Sequence, residues 1–200
     1  MAVTDGRDIV PQRRRADARR SIEAIVSAAR VLFSERPDAS MEDVAAAAGL
    51  ARQTVYAHFT SREALIHAVF DAIAAEVVAA IDAADIAHCP PADALSRFLD
   101  VVWQLIPRYY PLLVDPALAR AVGHDGHDPH EAFTAQLESL IRRGQRTGDF
   151  DRRLSAAWLA AAALGMFHAA ADEIKAGRMT AAEAAEALRE SALRICAVQD

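Results

Sequence analysis

Residues Ser40 to Phe59, SMEDVAAAAGLARQTVYAHF, constrain the fold more than any other stretch, because they read as two short helices folded sharply about one glycine. Ser40 is placed to cap the first helix. Asp43, three residues on, is a short form of the reciprocal acidic partner, and Val44, Ala45 and Ala48 supply a small apolar face. Gly49 ends that helix, since glycine takes the left-handed backbone of a tight helix-to-helix turn without steric cost. Leu50 and then Arg-Gln-Thr-Val-Tyr restart the helical pattern at once, which is the spacing of a helix-turn-helix unit.

The second helix of this pair turns Leu50, Val55 and Phe59 inward and presents Arg52, Gln53, Thr54, Tyr56 and His58. Those polar types suit a DNA groove. Arginine chelates the O6/N7 edge of guanine and glutamine the N6/N7 edge of adenine, whereas tyrosine and histidine more often reach phosphate oxygens and fix register. By spacing alone, an ordinary helical hairpin with a solvated polar face fits the same residues.

With these residues in view, the segment resembles the DNA-binding signature of the TetR family of ligand-responsive transcriptional repressors, over roughly residues 17 to 66. The matching features are the Ser40 cap, Val44-Ala45, Ala48-Gly49-Leu50, Thr54-Val55-Tyr56, His58-Phe59, and the polar cap with a basic residue in Thr60-Ser61-Arg62-Glu63. The chain departs from the pattern at Ala51, where such proteins usually carry a capping Ser or Thr, a loss of about 1 kcal/mol. It departs again at Arg62, where lysine is common; arginine still holds a phosphate. The resemblance implies an all-α protein in which a three-helix DNA-binding domain (17–66) follows a flexible basic arm (1–16). A long helix then joins it to a ligand-binding and dimerisation domain (67–200). It also implies a homodimer on a palindromic operator of double-stranded DNA, with Arg52, Gln53, Thr54, Tyr56, His58 and Arg62 at the DNA and a small-molecule effector that releases it.

Composition agrees with an all-α fold: 47 of 200 residues are alanine, 21 are arginine and one is lysine, Lys175, which favours helix nearly everywhere and leaves almost no β-type run. The net charge of −6 is unevenly spread. Residues 7 to 20 hold six arginines against Asp8 and Asp17, residues 1 to 60 sum to +1, and residues 61 to 200 to −7. A DNA-facing end and an acidic remainder is the simplest electrostatic reading, although a basic arm is also what a solvated tail looks like.

Apolar periodicity predicts a first helix from about Asp17 to Glu35 and a long one from about Ser61 to Ala84. The second carries Leu65, Ile66, Val69, Phe70, Ile73, Val77 and Ile81 at three-to-four spacing. Further helices are expected near 92–106, 108–121, 130–146, 153–176 and 180–197, with Pro107 and Pro111 as breaks. The last two mix alanines with Trp158, Leu164, Met166, Phe167, Leu188, Leu193 and Ile195, a pattern that suits either a dimer face or completion of a monomer core; the resemblance favours the dimer. Trp103, Tyr109, Tyr110, Phe133 and His168 are the candidates for an effector pocket, should their helices converge.

Other chemistry is poorly represented. The segment HDGHDPH, His124 to His130, carries imidazole and carboxylate groups but lacks a rigid ligand spacing, so a loop over the pocket is expected and no metal or cofactor is assigned. Cys89 and Cys196 form no CxxC and are expected to be reduced, Cys196 packed as a small hydrophobe. No GxSxG, HExxH or phosphate-cradling glycine loop is present, so no enzyme is expected. The chain shows no signal-peptide pattern and no unbroken apolar run of about 18 residues, so a cytoplasmic protein without a membrane partner is expected. An all-helical carrier or enzyme with an incidental hairpin is the competing function.

Overall fold

The computed structural model describes residues 9–113, 115, 118 and 130–198. Those residues form eight α-helices and no strand. The helices are α1 (Ile9–Glu35), α2 (Met41–Ala47), α3 (Arg52–His58), α4 (Arg62–Ala83), α5 (Pro91–Leu113), α6 (Glu131–Thr147), α7 (Ala156–Lys175) and α8 (Ala181–Cys196), with a single 3₁₀ turn at Ile86–His88. The chain divides into two compact units, one of residues 1–72 and 111–127 and the other of residues 73–110 and 128–200.

In the first unit α2 packs on α1 and α3 on α2. Ile25, Ala29 and Phe33 of α1 are buried, as are Met41, Val44 and Ala45 of α2 and Val55 of α3. Helix α1 begins at Ile9, eight residues before the sequence-derived start, so the arginine-rich stretch from Arg13 continues the helix. Pro11 lies in its first turn, where a missing N–H costs nothing, and the Arg and Ala residues that follow are strong helix formers. Asp17 is therefore mid-helix, where its carboxylate accepts from Arg20 one turn on.

Helix α4 continues from the first unit into the second, and its buried residues are Leu65, Ile66, Val69, Phe70, Ile73, Val77 and Ile81, the stripe expected from the spacing. Its alanines nevertheless raise the mean hydropathy to 2.0 over 18 residues, enough by length and composition to cross a membrane. Of that window 39% is buried inside the protein.

In the second unit α6 packs on α7 and α7 on α8. The expected helices near 92–106 and 108–121 are one continuous helix as far as Leu113, so Pro107 and Pro111 do not end it. Each proline removes one i→i−4 hydrogen bond, but Phe98, Val102, Tyr109 and Leu112 remain on one buried stripe, and this packing outweighs local propensity. The remainder of the expected 108–121 helix and the 123–129 loop, with His124 and His127, lie outside the described residues apart from Asp115 and Leu118. Helix α7 is capped by Ser155, whose Oγ accepts from the Trp158 N–H at 3.2 Å. Helix α8 opens with a capping box between Thr180 and Glu183, which holds the Glu183 carboxyl below its usual range through the Thr180 N–H and hydroxyl. Cys196 is buried, and burial pushes its thiol up to about 11.

Candidate DNA-reading surface

The hairpin around Gly49 is built by two caps. At the start of α2, the Asp43 N–H donates to Ser40 Oγ at 3.1 Å, while the Ser40 N–H and hydroxyl donate to Asp43 Oδ2 at 2.8 and 2.7 Å. Those bonds, the backbone one foremost, hold the Asp43 carboxyl below its ordinary value of 3.8, with Arg36 adding a weaker attraction. At the other end Gly49 has φ +66°, the Gly49 N–H donates to the Ala46 carbonyl at 3.2 Å and the Leu50 N–H to the Ala45 carbonyl at 3.0 Å. This pair of bonds is the Schellman motif, and it fixes where α3 starts.

Helix α3 follows with Val55 and Phe59 buried and its polar residues outward. Arg52 and Gln53 are exposed, Tyr56 is 37% exposed, and Thr54 and His58 are half-buried. Ala51 occupies the N-cap with extended backbone (φ −66°, ψ 142°) and provides no side-chain cap, as its methyl group requires. Arg52 Nη2 lies 2.7 Å from Glu42 Oε1, and its guanidinium carbon lies 5.2 Å from the centre of the Tyr56 ring.

Arg62 differs from the other five DNA candidates. Its Nε donates to the Ala39 carbonyl at 3.0 Å, Nη2 donates to the Pro37 carbonyl, and the guanidinium sits 5.0 Å over the Phe33 ring. These contacts tie the first turn of α4 to the α1–α2 connection. Sequence reasoning did not find that role because it depends on residues more than twenty positions away.

The effector candidates lie on three helices, Trp103, Tyr109 and Tyr110 on α5, Phe133 on α6 and His168 on α7. Trp103 of α5 packs against Phe167 of α7 with ring centres 6.2 Å apart. Phe133 and His168 both meet His130, edge to face, at 5.4 and 5.6 Å. Tyr109 is buried at 2% exposure, His168 is exposed, and the Tyr110 side chain is outside the description. A separate cleft of about 290 Å³ lies between the C-terminal end of α4, the 3₁₀ turn and α6, lined by Asp82, Asp85, Gln136, Ser139 and Arg143 among others. None of the five candidates lines it. There Arg143 donates to the carbonyls of Ile86 and Cys89, each at 3.1 Å, and to that of Ala87, while Gln136 Nε2 donates to Asp82 Oδ1 at 2.9 Å. The sequence signal was available: Gln136, Ser139 and Arg143 recur at helical spacing on one face of α6.

A glycine-turned pair of short helices with an exposed polar second helix, in an all-helical chain, defines a helix-turn-helix DNA-binding protein. Comparison with known proteins agrees. The profile of the family described as bacterial regulatory proteins, tetR family, matches residues 25–69. The HTH-type transcriptional regulator NfxB of Pseudomonas aeruginosa is 24% identical over 84% of this chain and 90% of its own length. The HTH-type transcriptional repressor LfrR of Mycolicibacterium smegmatis is 35% identical over 50% of this chain and 56% of its own length. The crystal structure of TetR-like LfrR from Mycobacterium smegmatis in complex with proflavine superposes with a TM-score of 0.62 at 24% identity, covering 90% of this chain and 98% of that one. Residues 25–69 thus match the tetR-family model of bacterial regulatory proteins, and the chain as a whole is similar to HTH-type transcriptional regulators and shares the fold of TetR-like ones.

Proposed function

We propose that this regulator is a homodimeric repressor that leaves a palindromic operator when a small molecule enters its C-terminal helical part. The observation that carries the reading is the α2–α3 hairpin, whose Schellman turn at Gly49 sets Arg52, Gln53 and Tyr56 outward while Val55 and Phe59 anchor the helix beneath them. Arg52 and Gln53 read base edges; Thr54, Tyr56 and His58 hold phosphates, joined by whatever donors Arg62 has left over from its carbonyl partners. Residues 17–66 act as the DNA-binding domain and 67–200 as the effector and dimer domain, in the cytoplasm where chromosomal DNA lies.

Dimerisation uses α7 and α8. Trp158 is 61% exposed on the single chain, and Leu164, Met166, Leu193 and Ile195 are not fully buried, which supports a second copy as the covering surface. Two readers related by a two-fold axis then match half-sites one helical turn apart, about 34 Å, or a multiple of it. The rings of Trp103, Phe167, Phe133, His130 and His168 are the apolar and polar groups an effector would meet, and the proflavine held by LfrR supports a small organic molecule as its class. Continuous α4 is the element through which occupancy shifts the spacing of the readers.

Linkage provides the test. Effector and operator must weaken each other by the same factor, typically about 5- to 150-fold. Trp103 and Trp158 give an intrinsic fluorescence signal for titrating candidate effectors with and without saturating operator. Reciprocal weakening supports induction, and tight ligands that all bind with identical affinity in both conditions contradict it.

A further inference from the structure

Glu42, on α2, is an acid beside the surface that is to meet a polyanion. Its carboxylate is 45% exposed and reaches across the turn to Arg52, the first residue of α3, at 2.7 Å. The same guanidinium is flanked by the Tyr56 ring, 5.2 Å from its centre. An exposed ion pair of this kind adds little stability, so its consequence is geometric. A guanidinium has five N–H groups in a fixed plane; one end is taken by Glu42 and one face by Tyr56, which leaves a defined edge outward. An arginine free of such ties swings to whichever phosphate is nearest and binds any sequence, whereas one held in plane is ready for the paired acceptors of guanine. The neighbouring acid, Asp43, is engaged by Ser40 and lies 3.8 Å from Arg36, so Glu42 is the carboxylate that meets Arg52.

We infer that Glu42 is a positioning residue for base recognition: it holds Arg52 for a guanine edge and keeps it off the phosphates. The inference rests on the DNA-reading function proposed above and adds a determinant of specificity on the helix that does not enter the groove.

Operator DNA selected by the wild-type protein, single base-pair variants of it and a scrambled duplex are titrated at fixed salt with wild type, Glu42→Gln, Glu42→Asp, Arg52→Ala and the Glu42→Gln/Arg52→Ala pair. The base pair that Arg52 reads is the one whose replacement ceases to matter in Arg52→Ala. At that pair Glu42→Gln is expected to cut the wild-type penalty by about fivefold and to tighten scrambled binding. Glu42→Asp, which keeps the charge but shortens the reach, is expected to lose the same discrimination, with a smaller gain on scrambled DNA because the acid still repels the backbone. In the Arg52→Ala background Glu42→Gln is expected to leave the penalty unchanged. Equal factors on operator and scrambled duplex for Glu42→Gln, with the penalty intact, reduce Glu42 to a repelling charge and overturn the inference. A wild-type protein that selects no sequence at all overturns instead the DNA-reading function on which it rests.

Discussion

A β-carbon on Gly144 would lie 2.2 Å from Cδ2 of Phe150, so the end of α6 and the chain that follows it are packed with no room for a methyl group. The Phe150 N–H also donates to the Gly144 carbonyl at 3.1 Å, and the next residue, Asp151, donates its N–H to the Cys196 carbonyl at 2.9 Å. The ring is 3% exposed and cannot swing into solvent without opening this corner. Gly144→Ala should therefore destabilise the protein by about 1–3 kcal/mol through overpacking. Urea unfolding checks it. A double-mutant cycle with Phe150→Leu should show a combined loss smaller than the sum of the single ones, because the leucine vacates the clash.

Helix α3 lacks a side-chain cap because Ala51 stands at its N-cap in extended backbone suited to a capping residue. Ala51→Ser should raise stability by about 1 kcal/mol, read as a higher midpoint in urea. No gain would mean that the introduced hydroxyl does not reach the N–H groups of the first turn.

Acid should loosen the first unit through Asp43. Its carboxyl is held below the ordinary 3.8 by the Ser40 N–H, then by the Ser40 hydroxyl and by Arg36. A carboxyl with a depressed folded value binds fewer protons than in the unfolded chain. Its contribution is thus present above about pH 4 and is lost as pH falls through the folded value. Asp43→Asn should flatten that part of the stability-versus-pH curve below pH 4 while leaving the Glu183 contribution, which has the same sign, in place. Unfolding midpoints from pH 7 to 2.5 for both proteins decide it.

Much of the hairpin was legible before any coordinates. Ser40, Asp43 and Gly49 act through bonds to residues no more than five positions away, and the seven apolar positions of α4 repeat with the helix itself. What was not legible depended on distant packing. Prolines 107 and 111 break helices by local propensity, yet α5 runs through both. The carbonyl partners of Arg62, Pro37 and Ala39, lie more than twenty positions earlier in the chain. The aromatic residues between Phe98 and His168 are clustered in the chain, but which of them touch, Trp103 with Phe167 and both Phe133 and His168 with His130, is set by helix packing, and the polar cleft near Arg143 was missed. The pairing of Glu42 with Arg52 crosses a turn whose angle only the fold fixes.

Trp158, exposed on the isolated chain, should be the anchor of the dimer. Trp158→Asp is expected to shift sedimentation from dimer to monomer at micromolar concentration and to weaken operator binding with it, since a single reader contacts one half-site. A Trp158→Asp protein that sediments as the wild type does would remove α7 from the interface.

The central claim, that α3 reads a DNA sequence, is tested most directly by anisotropy titration of wild type, Arg52→Ala and Gln53→Ala on the selected operator and on a scrambled duplex of equal length at one salt concentration. The account predicts clear wild-type preference for the operator. It also predicts losses of about 1–3 kcal/mol on the operator for each substitution, with scrambled binding nearly unchanged. Equal wild-type affinity for both duplexes, or equal losses on both for Arg52→Ala, would contradict it.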